Sequence, residues 1–336
     1  MLESIPSIAL AAIAIFIGIG GLVWSADRFV AGAASIAESF DIAPIIVGLT
    51  IVSFGTSAPE VMVSLMAALD GAGELAVGNA LGSNIANIAL VLGVTLLISQ
   101  IPVDSKVLKH EGMVLIPITL LAGYFLYDAE LNPIEGWVLL ALLLPVMWYL
   151  VVVKQKDYKA EELLEEEAAL PHYSRGIAMV WFVVGLVALV VSSKVLVWGA
   201  VETAVFFNVS PLIIGLTIIA IGTSLPELAA SVMSALRGHH DIAVGNIVGS
   251  NIFNLLAVMS VPGIFVTKGM DPAVFARDYS SMLAVTLSLF VFLGFAMWQA
   301  KRKKKDKGVL GRVSGAILLA AYVAYMLMIA QSQLGI

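Results

Sequence analysis

The chain has 336 residues, of which 60% are hydrophobic and 12% charged, with a formal net charge of −6 and a mean hydropathy of +1.00. These proportions exclude a soluble globular domain and point to a polytopic membrane protein. The absence of cysteine excludes disulfides and thiolate metal centres, and the charges are crowded into loops, so their sum says little about partners.

Apolar runs of roughly 17 to 25 residues give ten expected spans, at 5–34, 43–69, 75–99, 112–127, 134–153, 176–206, 210–236, 242–264, 279–299 and 309–331. The first lacks the basic region and small-residue cleavage site of a signal peptide, so it is expected to be retained. The first and sixth are too long for upright helices and are expected to tilt or to run along the interface. The fourth is short.

The second and third spans hold polar groups that are costly at membrane depth unless they coordinate something. These are Gly55-Thr56-Ser57-Ala58-Pro59-Glu60 and Gly78-Asn79-Ala80-Leu81-Gly82-Ser83-Asn84-Ile85-Ala86-Asn87. At a constant shift of 167 positions the seventh and eighth spans repeat them, as Gly222-Thr223-Ser224-Leu225-Pro226-Glu227 and Gly245-Asn246-Ile247-Val248-Gly249-Ser250-Asn251-Ile252-Phe253-Asn254. Between 44–60 and 211–227, 11 of 17 positions are identical, and between 76–87 and 243–254, 9 of 12. That agreement without a gap identifies an internal duplication, with motifs at 44–87 and 211–254.

On a helix Thr56, Ser57 and Glu60 share a face, as do Asn79, Ser83 and Asn87. Pro59 and Pro226 have no N–H for the carbonyls of Gly55 and Gly222, freeing backbone oxygens, which is tolerated at depth where they line a site. A set made only of oxygen selects hard cations such as Ca²⁺ and Na⁺. Glu60 and Glu227 could instead snorkel to the interface or be held in a structural hydrogen bond, and the hydroxyls could bond back to their own helices. The Gly78-x-x-x-Gly82 and Gly245-x-x-x-Gly249 runs are also close-packing motifs, so glycines for packing and Ser and Asn for ions are expected on the same helices. Asn79, Asn84, Asn246 and Asn251 are assigned to caps or inter-helix hydrogen bonds, and Asp27, Arg28 and Lys194 to interfacial anchoring. All four histidines are read as loop residues, from which no metalloenzyme site can be assembled.

Five spans per repeat is an odd number, so the second copy must enter the membrane inverted, with the ion site near the midplane. The expected fold is therefore an all-α polytopic membrane protein of ten transmembrane helices in two inverted five-helix repeats. The first repeat covers 1–153, a cytoplasmic acidic linker 154–175, and the second repeat 176–336. Fourteen Lys and Arg fall in loops on one side and only Lys268 and Arg277 on the other. The positive-inside rule puts the first set in the cytoplasm and both termini outside. The run of Glu from 161 to 167 reads as a solvated segment. The basic run 301–307 reads as a topology signal, with anionic lipid as an alternative; nucleic-acid binding is not expected beside two membrane spans.

The doubled motifs resemble the two alpha repeats of the Na⁺/Ca²⁺ exchangers, within the cation/Ca²⁺ antiporter superfamily. The motifs cover about a quarter of the chain, and the span pattern fits the family over nearly all of it. The resemblance implies a Na⁺/Ca²⁺ antiporter of the inner or plasma membrane that exports Ca²⁺ by alternating access, with no cofactor and with Ca²⁺ and Na⁺ as its ions. It implies that Glu60, Glu227, Thr56 and Thr223, with backbone carbonyls of Ser53 and Ala220, hold Ca²⁺. Na⁺ would use the same Glu pair with Ser57, Ser83, Asn87, Ser224, Ser250 and Asn254, while the first and sixth spans slide. K⁺-dependent exchangers carry Asp where this chain has Asn254, so no K⁺ requirement is expected. A H⁺/Ca²⁺ antiporter, a cation channel and an intramembrane hydrolase using the Glu pair as acid and base are the alternatives. The sequence leaves oligomeric state open, a monomer included.

Overall fold

The computed structural model describes residues 5–157, 173–208, 220–266 and 269–334. The Glu-rich segment 161–167, residues 211–219 of the second motif, His172 and Lys268 lie outside the described residues.

Helix α1 covers Ile5–Ser39. The second apolar run folds as α2 (Pro44–Thr56) and α3 (Ala58–Leu69), bent by 42°. The cause is local: Ser57 leaves helical geometry at φ −85° and ψ 1°, and Pro59 follows at the start of the next helix. Helix α3 closes on Gly71 at φ 73°, which lets the Ala72 N–H reach back to the Ala67 carbonyl at 2.8 Å. Then follow α4 (Gly73–Ile98), strand β1 (Ile101–Val103), α5 (Ser105–Leu126), α6 (Pro133–Asp157) and α7 (Arg175–Phe206). The second half continues with α8 (Ala220–Thr223), α9 (Leu225–Leu236), α10 (His240–Phe265), α11 (Val274–Arg302), β2 (Gly308–Leu310) and α12 (Arg312–Leu334).

Among the described residues seven helices are long and apolar enough to cross a membrane, namely α1, α4, α6, α7, α10, α11 and α12; the bent α2/α3 pair would make an eighth. The outward surface is apolar too: Phe16, Leu144 and Ile134 are 77%, 77% and 76% exposed, as side chains facing lipid rather than water would be.

Three expectations need correction. The fold is not purely helical, because β1 and β2 form an antiparallel ribbon with Ile101 opposite Leu310 and Val103 opposite Gly308. Helix α5 starts at Ser105 rather than near 112, taking in polar turns whose Glu111 is fully buried against Lys154 of α6 at 2.8 Å. Histidines are not confined to loops: His110 lies inside α5, 3.1 Å from Asp157, and His240 opens α10.

Helices α1 and α7 pack antiparallel along their length, with glycines wherever the backbones meet. A Cβ on Gly32 would lie 2.6 Å from the Phe182 nitrogen, and one on Gly185 would lie 2.6 Å from the Phe29 nitrogen. This pair rests on α9 through Leu22, Ala26 and Leu189 against Leu225, Ala229 and Met233. Arg237, just past α9, forms an ion pair with Asp27. Arg28 bonds the Tyr173 hydroxyl at 3.0 Å and lies over Trp181, an anchoring role rather than an ion ligand. The remaining helices enclose one large apolar core that includes Leu81, Ile85, Ile88, Leu96, Leu115, Leu126 and Leu139.

Candidate ion site

Helix α2 meets α10 backbone to backbone. A Cβ on Gly48 would lie 2.6 Å from the Ile242 carbonyl, and a Cβ on Gly249 would lie 2.5 Å from both the Leu49 carbonyl and Ser53 Oγ. Replacing these glycines would separate the helices that carry the first copy's hydroxyls and the second copy's amides. The helical ladders of three of these segments loosen into π-turns: Gly48–Val52 in α2, Ala86–Leu92 in α4 and Asn254–Val258 in α10. The wider turns begin next to Asn87 and at Asn254, the last residues of the two motif copies. Such bulges recur at functional sites because they re-aim side chains and free carbonyls.

Both glutamates end up inside the molecule, each 1% exposed and each in the first turn of the helix after the break, α3 for Glu60 and α9 for Glu227. A helix start favours negative charge through its free N–H groups. Ser57, three residues before Glu60, donates from Oγ to Glu227 Oε1 at 3.1 Å, which brings the two motif copies together. The snorkelling alternative is thereby excluded, since neither carboxylate reaches the surface.

The other site residues predicted from the sequence gather on the same helices. Thr56, Ser53, Ser57, Ser224, Asn87, Ser250 and Asn254 are buried, and Ser83 is 5% exposed. Thr223 is partly buried at the end of α8. The Ser53 carbonyl accepts the Ser57 N–H at 2.9 Å, and the Ser224 N–H turns to the Ile221 carbonyl at 3.1 Å, not to Ala220. The four remaining asparagines divide. Asn79 and Asn246 make inter-helix bonds as expected: Asn79 Nδ2 donates to Ser64 Oγ and to the Glu60 carbonyl, both at 3.0 Å, and Asn246 Nδ2 donates to Ser231 Oγ at 2.9 Å. Asn84 reaches Met282 on α11, whereas Asn251 Nδ2 donates back to the Ile247 carbonyl of its own helix.

Eight buried atoms of the site residues predicted from the sequence have no hydrogen-bond partner among the described residues: Glu60 Oε2, Glu227 Oε2, Ser224 Oγ, Ser250 Oγ, and both amide atoms of Asn87 and of Asn254. Leaving one such group unsatisfied costs about 1 to 3 kcal/mol. Eight together would rival the whole stability of a typical domain, about 5 to 15 kcal/mol. An arrangement of that cost fits a chamber built for oxygen ligands around a hard cation. Sequence reasoning did not single out Ser64 and Ser231, which tie Asn79 and Asn246 across the helix pairs. They stand 167 positions apart, so the repeat register itself would have found them.

The chain matches the family described as sodium/calcium exchanger protein over residues 10–152 and 177–331. It is 46% identical to CaxA of Alkalimonas amylolytica over 96% of this chain and 99% of that one. To the inner membrane protein YrbG of Escherichia coli it is 39% identical over 95% of this chain and 97% of the relative. Among solved structures it superposes on the sodium-calcium exchanger NCX_Mj, soaked without Na⁺ or Ca²⁺, with a TM-score of 0.80 at 28% identity, covering 96% of this chain and 99% of the other.

Proposed function

Because this chain belongs to the sodium/calcium exchanger family, a family of membrane transporters rather than enzymes, we propose that it exchanges Na⁺ for Ca²⁺ by alternating access and uses inward Na⁺ flow to export Ca²⁺. The observation that carries the reading is the pair of buried carboxylates among unpartnered hydroxyl and amide oxygens. Two ionised Glu supply a charge of −2, which one Ca²⁺ balances without residual charge in a poorly solvating interior. In this reading Glu60, Glu227, Thr56 and Thr223, with carbonyls from Ser53 and Ala220, hold Ca²⁺. Ser57, Ser83, Asn87, Ser224, Ser250 and Asn254 join the Glu pair around Na⁺. Either ion fills the chamber but not both, so competition couples their movements. The neutral Asn254 leaves no extra negative charge for a co-transported K⁺.

The ten spans form two inverted five-helix repeats, 1–153 and 176–336, joined by the linker 154–175. Both termini lie outside the cell membrane. Because the chain has no cysteine, single Cys substitutions can be labelled without background. Lys304→Cys should be protected from an impermeant reagent in intact cells and Asp128→Cys should react; the reverse pattern would invert the topology.

The decisive experiment is uptake of labelled Ca²⁺ by proteoliposomes. Ca²⁺ should enter against an outward Na⁺ gradient, with K⁺ present or absent. Uptake driven by a pH gradient without Na⁺ would replace Na⁺ by H⁺ as the coupling ion. Flux without counter-transport would make the protein a channel.

A further inference from the structure

Asn246 is fully buried in α10 and uses both ends of its amide. Its Nδ2 donates to Ser231 Oγ of α9 at 2.9 Å, and its Oδ1 accepts the Thr56 hydroxyl of α2 at 3.1 Å. Thr56 and Ser231 are fully buried as well. The three groups form a relay that starts in the second motif copy and ends on a hydroxyl of the first.

A hydroxyl can ligate a cation only through a lone pair, so its hydrogen must be taken by an acceptor on another side. Two acceptors lie close to the Thr56 hydroxyl. The Ser53 carbonyl is 3.4 Å away, at the weak limit of a hydrogen bond, and the Asn246 amide oxygen is 3.1 Å away. Asn246 Oδ1 is the acceptor that draws the hydrogen away. An amide can present either end; here Nδ2 faces Ser231 and Oδ1 faces Thr56. The related Asn79 makes the same bond to Ser64 and, also from Nδ2, a second one to the Glu60 backbone carbonyl, so it steadies a main chain as well.

We propose that Asn246 is a positioning residue for cation binding: held by Ser231, it orients the Thr56 hydroxyl so that its lone pair faces the ion. The proposal rests on the antiporter reading above, in which Thr56 is a ligand. Orienting partners of this kind are part of the binding geometry of other cation sites.

The test is calorimetric titration of Ca²⁺ into the purified full-length protein, with thermal unfolding run in parallel. Thr56→Val and Asn246→Leu should each weaken Ca²⁺ binding about tenfold, the worth of one well-formed hydrogen bond or ligand contact. Ser231→Ala, which frees the amide to turn over, should weaken it less. The result that distinguishes orientation from plain structure is coupling: in the Thr56→Val background, Asn246→Leu and Ser231→Ala should cost no further affinity. Asn79→Leu should lower the melting temperature without that coupling. A second tenfold loss in Thr56→Val with Asn246→Leu, or, where the Leu variant does not fold, a loss from Ser231→Ala in that background as large as it causes alone, would overturn the proposal. So would unchanged affinity in Asn246→Leu. If Thr56→Val binds Ca²⁺ normally while Glu60→Gln does not, the relay is wrong and the antiporter reading survives. If the wild type binds no Ca²⁺ at all, both fall.

Discussion

The two motif copies have nearly the same residues but not the same bonds. Ser57 of the first copy donates to Glu227 of the second, whereas Ser224, its counterpart, is buried with no hydrogen-bond partner among the described residues. The Thr56 hydroxyl likewise crosses to Asn246. In these contacts the first copy supplies the hydrogens and the second the acceptors. A duplicated sequence fixes which groups meet, but only one of two opposing hydroxyls settles on a given carboxylate. An exchanger whose two faces open in turn has a use for such a pair of arrangements, since the mirror-related one is built from nearly the same chemistry.

The comparison extends beyond the motifs. The 167-residue register places Glu111 opposite Asp278, each near the start of a long helix and each buried, at 0% and 6% exposure. Their compensation differs. Glu111 has the Lys154 ammonium from α6, itself 5% exposed, whereas Asp278 has the neighbouring Arg277 at 2.7 Å and the Tyr325 hydroxyl at 3.1 Å. Removing Lys154 therefore leaves a buried charge alone, while removing one of two partners of Asp278 does not. Lys154→Met should cost about 3 to 5 kcal/mol of stability and Tyr325→Phe about 1.5 kcal/mol, measured by unfolding in detergent. Glu111→Leu in the Lys154→Met background should recover most of the loss. Equal costs in the two halves would remove this difference.

The carboxylates should behave alike where their neighbours do not. Glu60→Gln and Glu227→Gln each keep size and one oxygen but remove a charge that, in the proposed reading, faces Ca²⁺. A loss of about 2 kcal/mol for a desolvated contact weakens Ca²⁺ binding roughly 30-fold at about 1.4 kcal/mol per decade. Na⁺ should suffer less per ion, because the remaining Glu still matches one monovalent charge. Titration of Ca²⁺ with and without high Na⁺ checks both statements. Unchanged affinity in either variant would mean that the two copies do not share one ion.

Equivalent turns after α3 and α9 also differ. Both close on a glycine of positive φ, Gly71 at 73° and Gly238 at 82°, but the next residue is Ala72 in one and His239 in the other. Burial, with the neighbouring His240 and Arg237 charges, pushes the His239 imidazole down to about 4. The folded protein therefore resists protonating it, while the unfolded chain takes up the proton near the usual value of about 6.5. Stability from this group is intact above that value and is lost as pH falls from there towards 4. At pH 5 the loss is on the order of 2 kcal/mol. A His239→Gln variant should lose less stability than the wild type between pH 7 and pH 5, and an equal loss in both would exclude His239 as the source.

What the sequence discloses here is what duplication and periodicity encode. The oxygen-rich residues from Thr56 to Glu60, and their copies, were legible because polar groups at membrane depth are conspicuous, and the break at Ser57 because proline removes a fixed donor. The ribbon of Ile101–Val103 with Gly308–Leu310 was not legible, since three-residue strands far apart in sequence have no periodicity of their own. Lys154 looked like one of fourteen loop charges; its burial depends on α5 and α6 meeting at Glu111, which no local pattern reports. The π-turns at Asn87 and Asn254 follow from packing rather than propensity. The choice of Ser57 over Ser224 as donor is invisible in principle, because both copies read Gly-Thr-Ser.

That choice gives the smallest and sharpest test. Ser57→Ala removes a hydrogen bond to a carboxylate and leaves Glu227 Oε1 buried without this donor, which should cost about 1.5 kcal/mol. Ser224→Ala deletes a hydroxyl that has no hydrogen-bond partner among the described residues, so it should be neutral or slightly stabilising. Both variants are measured by unfolding without Ca²⁺ or Na⁺, where only protein–protein bonds count. With Na⁺ present the ranking should narrow, because in the proposed reading both hydroxyls then serve as ligands and Ser224→Ala loses what it had spared. Equal costs in the ion-free protein would mean that the two arrangements are already equally populated, and the asymmetry between Ser57 and Ser224 would then belong to a single conformer rather than to the resting molecule.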